Sequence, residues 1–161
     1  MILTLQAYTI FHVVISLIAI LARFIVLYGW LTARRLDGWT LIFLVFTLAT
    51  SVTGFFFPFH GFTPAIGTGI LSVVVLLAAF AGLYAFHLEG SWRWVYLISA
   101  AIALYLNVFV LIIQAFLKIP PLHALAPNGN EPPFAVVQGI VLALFVIGGF
   151  VAVRRYRPVV G

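Results

Sequence analysis

Cysteine and charged residues are what this sequence of 161 residues lacks. It contains no cysteine, and only 7% of its residues are charged, against about 25% in an ordinary soluble domain. The absence of cysteine excludes disulfides, thiolate metal ligands, cysteine nucleophiles and covalent haem attachment through a CxxCH motif. So few charges cannot cover a water-exposed surface. We therefore exclude a soluble enzyme, a disordered chain and, despite the net charge of +5, a nucleic acid partner.

What the sequence has instead is apolar length, with 65% hydrophobic residues. A helix needs about 20 mainly apolar residues to cross a bilayer. Charges and prolines divide the chain into runs of that length, which predicts an all-α, polytopic transmembrane helix bundle forming one domain over residues 1–161. The five predicted spans are about 7–31, 39–57, 65–86, 94–117 and 134–153. A four-helix alternative would make one of these stretches a re-entrant segment. The first span is expected to be an uncleaved signal anchor, since no Lys or Arg precedes it.

The arginines predict how the bundle is oriented. All the loop and terminal arginines fall on one side of the predicted spans: Arg34, Arg35, Arg93, Arg154, Arg155 and Arg157. The opposite side carries Lys118 alone. The positive-inside rule then places the N-terminus outside and the C-terminus in the cytoplasm.

Polar side chains inside spans are expected to face the bundle interior. These residues are Ser16, Arg23, Asn107, Gln114 and Gln138. Interhelical hydrogen bonding explains Asn107, Gln114 and Gln138 without a function, and the alternative is that these three line a conduit together with Ser16. Arg23, the one charge within a span, is expected to extend toward the cytoplasm or to pair with Asp37 or Glu89.

Three of the four histidines, His12, His60 and His123, fall on the predicted outer side. Imidazole is a common ligand for zinc, copper and haem iron. His12 and His60 are therefore candidate ligands of a haem b, and all three histidines are candidate ligands of a divalent metal. Histidine is also tolerated at membrane interfaces, and no pair shows a local ligand spacing such as HxxxH, so both interpretations stay open.

No catalytic residue is predicted. The sequence contains no GxSxG, HExxH or Walker motif, and no acidic residue lies within any predicted span. These motifs are typical of serine hydrolases, zinc proteases and P-loop nucleotide hydrolases, and a proton-coupled pump normally uses a buried acid. The sequence therefore favours a protein that is not an enzyme.

Three segments carry a resemblance to known families. Thr53–Pro58 reads TGFFFP, Leu106–Lys118 reads LNVFVLIIQAFLK, and Glu131–Phe134 reads EPPF. They resemble small uncharacterised bacterial inner-membrane proteins over about the last two-thirds of the chain. A weaker similarity is to the DUF2231 type of bacterial membrane protein, which begins its first span with histidine and ends its second in glycine. The resemblance implies a multi-pass protein of the bacterial inner membrane and brings no function with it.

The expected function follows from what remains. Small residues that suit helix packing, little mass outside the membrane and no catalytic group favour an accessory or assembly subunit of a larger membrane complex. Its expected partners are the lipid bilayer and other membrane-protein subunits, or a second copy of this chain. The alternatives are a redox protein with a haem or metal site at the outer histidines, and a conduit for a small molecule or ion.

Overall fold

The structure is a computed structural model that describes residues 2–57, 61–62 and 64–156. All regular structure in these ranges is helical, and no strand occurs in them. The α-helices are α1 (Ile2–Leu31), α2 (Asp37–Gly54), α3 (Pro64–Phe80), α4 (Trp92–Lys118), α5 (Pro120–Leu125) and α6 (Pro132–Arg155). A π-helical turn, Ala81–Ala85, continues α3 toward the next loop.

Five of the helices in the described residues are long and apolar enough to cross a membrane. They are Leu3–Leu31, Asp37–Gly54, Ile66–Ala85, Trp92–Lys118 and Pro132–Arg155. These confirm the five predicted spans. Most ends agree within about two residues, as helix boundaries usually do, but α1 begins at Ile2 rather than near residue 7 and α2 ends at Gly54 rather than near residue 57. The short α5 was not predicted. It begins at two prolines, which suit the first turn of a helix because the N–H groups there have no partner within the helix.

The arginines of the described loops and helix ends collect at one end of the bundle. This basic end contains the turn from α1 to α2, the turn from α3 to α4 and the end of α6, with Arg34, Arg35, Arg93, Arg154 and Arg155. The opposite end contains α5 and residues 119–131, and we call it the long-loop end. The distribution matches the predicted one, while the direction of the bundle across a membrane stays a prediction.

Helix α4 is the centre of the bundle, since it packs against α1, α3, α5 and α6. Helix α2 packs against α1 and α3. The core is richest in aromatic rings toward the basic end, where the buried Trp30 meets Phe43 and Tyr96 edge to face, with ring centroids 6.4 Å and 5.8 Å apart. Such pairs contribute about 0.5–1.5 kcal/mol beyond their buried area, so they help to fix how α1, α2 and α4 meet.

Two glycines allow the chain to turn and cross at the basic end. A Cβ on Gly29 would lie 2.9 Å from the carbonyl oxygen of Arg34, whose own N–H donates to the Gly29 carbonyl across 2.7 Å. A Cβ on Gly82 would lie 3.0 Å from the carbonyl oxygen of Trp92 and 3.2 Å from Cβ of Tyr96. Glycine at position 82 therefore lets the π-helical turn touch the backbone of α4.

The turn from α3 to α4 holds two non-glycine residues in the left-handed region, His87 with φ +50° and Leu88 with φ +60°. This conformation is costly for residues with a Cβ. It is compensated by the burial of the Leu88 side chain and by a hydrogen bond of 2.9 Å from the Leu88 N–H to the Gly82 carbonyl. Phe86 and Trp92 stack across the turn with centroids 3.9 Å apart.

Arg93 attaches the end of α6 to the start of α4. Its Nη1 donates to the carbonyl oxygens of Val153 and Tyr156, each at 2.8 Å. The last carbonyls of a helix have no partner within it, so a guanidinium from the neighbouring helix satisfies them. Arg93 therefore joins two helices at the basic end.

Glu131 organises the loop that leads into α6. Its carboxylate accepts hydrogen bonds from the backbone N–H groups of Asn128, at 2.8 Å, and Asn130, at 3.1 Å. These bonds, led by the one from Asn128, lower the pKa of Glu131 because they stabilise the charged carboxylate. The loop thus has a defined shape at neutral pH.

Candidate functional site: a buried arginine between three helices

Arg23 is the most unusual side chain in the bundle, because it is charged and only 1% exposed. It lies on the face of α1 that also carries Ala19, Ala22 and Val26, all buried. The spacing of three and four residues puts these positions on one side of a helix. The two alanines leave room for α2 and α4 to approach the guanidinium group.

The hydroxyl of Thr47, on α2, is the first acceptor for Arg23. Nε of Arg23 donates to Thr47 Oγ1 across 3.0 Å, and Nη2 donates to the same oxygen. Thr47 in turn donates its hydroxyl hydrogen to the Phe43 carbonyl at 2.5 Å. Because that hydrogen is already used, the lone pairs of Oγ1 remain for the guanidinium. The ring of Phe43 lies beneath, 5.4 Å from Cζ of Arg23.

The amide of Asn107, on α4, is the second acceptor. A guanidinium group can only donate hydrogen bonds, so the amide oxygen of Asn107 faces it. Nη1 of Arg23 donates to that oxygen across 2.6 Å, and Nη2 donates to it as well. One side chain of α1 is thereby bonded to both α2 and α4. We call Arg23, Thr47 and Asn107 the polar junction.

The expectation that Arg23 pairs with Asp37 or Glu89 is wrong, since its partners are Thr47 and Asn107. Asp37 pairs instead with Arg35, at 2.5 Å, the one ion pair that the described residues contain. The physical reason is the direction of helical side chains, which lean toward the N-terminus of their own helix. For Arg23 that direction leads away from the basic end and toward Asn107.

The groups of the polar junction can form hydrogen bonds and hold α1, α2 and α4 in position. Its members are a donor-only cation, a hydroxyl and a neutral amide, and none of them is an effective proton acceptor at neutral pH. Arg23 and Asn107 both lie in the contact between α1 and α4. Thr47 was not among the polar residues predicted to face the interior. Its position along α2 could have identified Thr47 as a partner of Arg23. At about 1.5 Å per residue, Thr47 and Arg23 lie about 15 Å and 12 Å along their helices from the basic end.

His12 is held in a second polar contact, nearer the long-loop end. Its Nδ1 lies 2.8 Å from Thr53 Oγ1, and the Thr53 hydroxyl donates to the Ala49 carbonyl at 2.7 Å. Nδ1 must therefore carry the proton and donate it, which leaves Nε2 as an acceptor. Tyr8 donates to the Thr53 carbonyl at 2.6 Å. The contact fixes the ring of His12 between α1 and α2.

The other predicted ligands do not join His12 in a site that the structure describes. His123 lies exposed on α5, with its Nδ1 3.3 Å from the Phe116 carbonyl. His60 lies outside the described residues. Within the described ranges, no group of three His, Cys, Asp or Glu side chains is placed to hold a metal ion. Haem or metal binding that involves His60 stays a prediction.

The remaining polar residues lie in separate places. Ser16 donates to the His12 carbonyl of its own helix at 2.7 Å. Gln138, on α6, donates to the Phe109 carbonyl of α4 at 3.2 Å, and its amide oxygen is buried without a hydrogen bond from the described residues. Gln114 is half-buried on α4. Gln138 thus forms an interhelical hydrogen bond, and the conduit hypothesis stays untested.

The fold and the polar junction define a class: a multi-pass helical membrane protein whose interior is joined by a buried arginine. No protein-family model, curated protein or solved structure matches this chain. The resemblance to the DUF2231 type therefore stays a prediction, and the function has to be argued from the residues themselves.

Proposed function

We propose that this chain is a non-enzymatic subunit of a membrane complex, and that it binds a transmembrane helix of another subunit, or of a second copy, through the outer face of α6. We also propose that it resides in a bacterial inner membrane with the basic end in the cytoplasm. The excess of arginine at that end supports this orientation.

The observation that carries the proposal is the exposure of α6. Only 11% of its span is buried within the bundle, against 28–39% for the other four. Gln138 and Ala152 are its only buried side chains. Such a helix is attached to the bundle along a narrow line and offers most of its circumference to other molecules.

The exposed surface of α6 also has the shape that membrane helices use for contact. Ala135, Gly139 and Ala143 follow each other at intervals of four residues, and all three are exposed. A Cβ on Gly139 would meet no atom within 4 Å. We call this the small-residue stripe. Small residues at this spacing let two helix backbones approach closely, and such packing drives association where the hydrophobic effect between helices is absent.

The test is photo-crosslinking in intact membranes, with a photoreactive amino acid at Ala143. We expect a discrete protein adduct, and its mass distinguishes a second copy of the chain from a different subunit. The matched control carries the same group at Leu144, which is also exposed but lies about a quarter turn around the helix. Gly139→Leu should abolish the adduct at position 143, because a leucine side chain keeps the backbones apart.

The proposal fails if both positions crosslink only to lipid, or if Gly139→Leu leaves the adduct unchanged. Circular dichroism of Gly139→Leu provides the folding control. The substitution points away from the bundle, so we expect its helix content and thermal unfolding to equal those of the wild type.

A further inference from the structure

An open groove runs between α4 and α6 toward the basic end, mostly along the C-terminal half of α6, beyond the small-residue stripe. Its volume is about 380 Å³, within the usual range of about 300–1,000 Å³ for ligand sites. The lining is apolar and aromatic, and it includes Trp94, Ile98, Tyr105, Val146 and Phe150. Gly149 contributes no side chain there, which deepens the groove. A cleft of this kind in a lipid-facing surface suits a hydrocarbon chain.

Two guanidinium groups flank the groove at its basic end. Cζ of Arg154 lies 4.7 Å from the ring centroid of Phe150, and Cζ of Arg93 lies 5.6 Å from that of Trp94. Both rings belong to the groove lining. Each arginine therefore lies beside a ring of the groove wall and within one or two turns of the basic end of its helix, where the headgroup of a lipid would lie if its chain occupied the groove.

Arg93 is fixed in place for this role. Its two hydrogen bonds to the carbonyls of Val153 and Tyr156 both use Nη1. Nε and Nη2 make no hydrogen bond within the described part of the chain, so they remain for another acceptor. A guanidinium whose position is already set loses little conformational entropy when it binds an anion.

The charge at the mouth is unbalanced. Arg155 points instead to α1, where its Nη1 donates to the Leu31 carbonyl at 3.5 Å. The acidic side chain nearest in sequence, Glu89, lies in the turn before α4 and forms no ion pair with Arg93 or Arg154. Arginine forms strong, often bidentate hydrogen bonds with the phosphate groups that lipids present at a membrane surface.

We propose that the α4–α6 groove binds an anionic phospholipid, with one acyl chain along the groove and the phosphate between Arg93 and Arg154. Charge complementarity at the mouth distinguishes this lipid from a zwitterionic one. The proposal does not depend on the small-residue stripe, because most of the groove lies nearer the C-terminal end of α6 than the stripe does.

Trp94 provides the test, because its indole lines the groove. The full chain is placed in phosphatidylcholine vesicles that contain a small share of phosphatidylglycerol, and one of the two lipids carries brominated acyl chains. Bromine quenches a nearby indole, and the contribution of Trp94 is the difference between the wild type and Trp94→Phe. We expect brominated phosphatidylglycerol to quench Trp94 more strongly than an equal amount of brominated phosphatidylcholine.

Two variants separate the headgroup contact from the chain contact. Arg154→Gln should reduce the preference for phosphatidylglycerol roughly fivefold, since a surface cation contributes about that factor to binding an anionic lipid. Arg34→Gln, an exposed arginine of the same basic end outside the groove, is the matched control and should leave the preference unchanged. Gly149→Leu should fill the groove and reduce quenching by both lipids.

Equal quenching by the two lipids would overturn the proposal, because the groove would then hold ordinary bilayer lipid. Equal effects of Arg154→Gln and Arg34→Gln would overturn it as well, since the preference would then reflect general surface charge. Absence of quenching by either lipid would mean that protein covers the groove, and would also overturn it.

Discussion

The polar junction and helix α6 are two opposite ways of holding a membrane helix. At the polar junction, Arg23 is buried and bonded to Thr47 on α2 and Asn107 on α4. Helix α6 is attached chiefly by Arg93 at one end and by aromatic contacts along α4, and its surface is left mostly bare. Lipid tails are as apolar as leucine, so apolar burial does not select partners in a bilayer. Polar bonds thus join the interior of this bundle, whereas most of the surface of α6, with its small residues, is not covered by the other helices.

The largest expected effect is a loss of stability when Asn107 of the polar junction is replaced. Asn107→Leu removes an acceptor and leaves the guanidinium of Arg23 buried with fewer bonds. Breaking a buried polar contact of a charge in this way costs about 3 kcal/mol. We expect that loss in the free energy of unfolding, measured by titrating the protein from mild detergent into dodecyl sulfate.

The matched control for Asn107→Leu is Gln114→Leu, two turns away on the same helix and half-buried. It should change the free energy of unfolding by less than about 1 kcal/mol. If the two variants lose the same amount, Asn107 is not a special member of the interior and the contrast with α6 disappears.

A smaller loss is expected where α4 meets the π-helical turn. Gly82→Ala places a Cβ 3.0 Å from the Trp92 carbonyl, and such overpacking costs about 1–3 kcal/mol. Gly148→Ala is the matched control on α6, where a Cβ would meet nothing within 4 Å. Thermal unfolding should show a destabilised Gly82→Ala and a Gly148→Ala as stable as the wild type. If Gly148→Ala were the less stable of the two variants, close backbone contact would not be confined to the core.

A third prediction compares two amides, one in each region. Gln138 on α6 makes one bond to the Phe109 carbonyl, and its oxygen is buried without a partner in the described residues. Gln138→Leu removes both the bond and the unsatisfied oxygen, so we expect a loss of only about 0.6 kcal/mol, the average for such bonds in a membrane protein. The same unfolding titration measures it, and a loss as large as that of Asn107→Leu would show that α6 is joined to the bundle as strongly as α1.

The smallest effect concerns pH and the loop before α6. The folded pKa of Glu131 lies below its ordinary value of 4.5 because backbone N–H groups bind the carboxylate. A carboxyl with a lowered pKa stabilises the fold above its ordinary pKa, and that contribution is lost as the pH falls through the folded pKa. Nuclear magnetic resonance should show the amide signals of Asn128 and Asn130 moving in that acidic window. In Glu131→Gln they should not follow this titration, and a persistent shift there would assign the effect to another group.

The spans could be predicted from the sequence because each depends on local quantities, namely apolar length and the positions of arginine and proline. The partners of Arg23 could not, since they depend on which helices pack together. The sequence around α1 suggests only the nearest acidic residues as partners of Arg23. The neutral acceptors, Thr47 and Asn107, lie on other helices. Helix α5 could not be predicted either, because Pro120–Leu125 is too short to show a helical periodicity of apolar residues. The outer histidines remain open, as His60 lies outside the described residues.

The most direct test of the polar junction is a double-mutant cycle between Arg23 and Asn107. The free energy of unfolding is measured for Arg23→Met, for Asn107→Leu and for the double variant. We predict that Arg23→Met costs less than Asn107→Leu, because it leaves no buried charge. The double variant should then be more stable than Asn107→Leu alone, with a coupling energy within the range of about 0.5–3 kcal/mol found for residues in contact. Additive losses would contradict the account, because Arg23 and Asn107 would then not stabilise the bundle as a bonded pair.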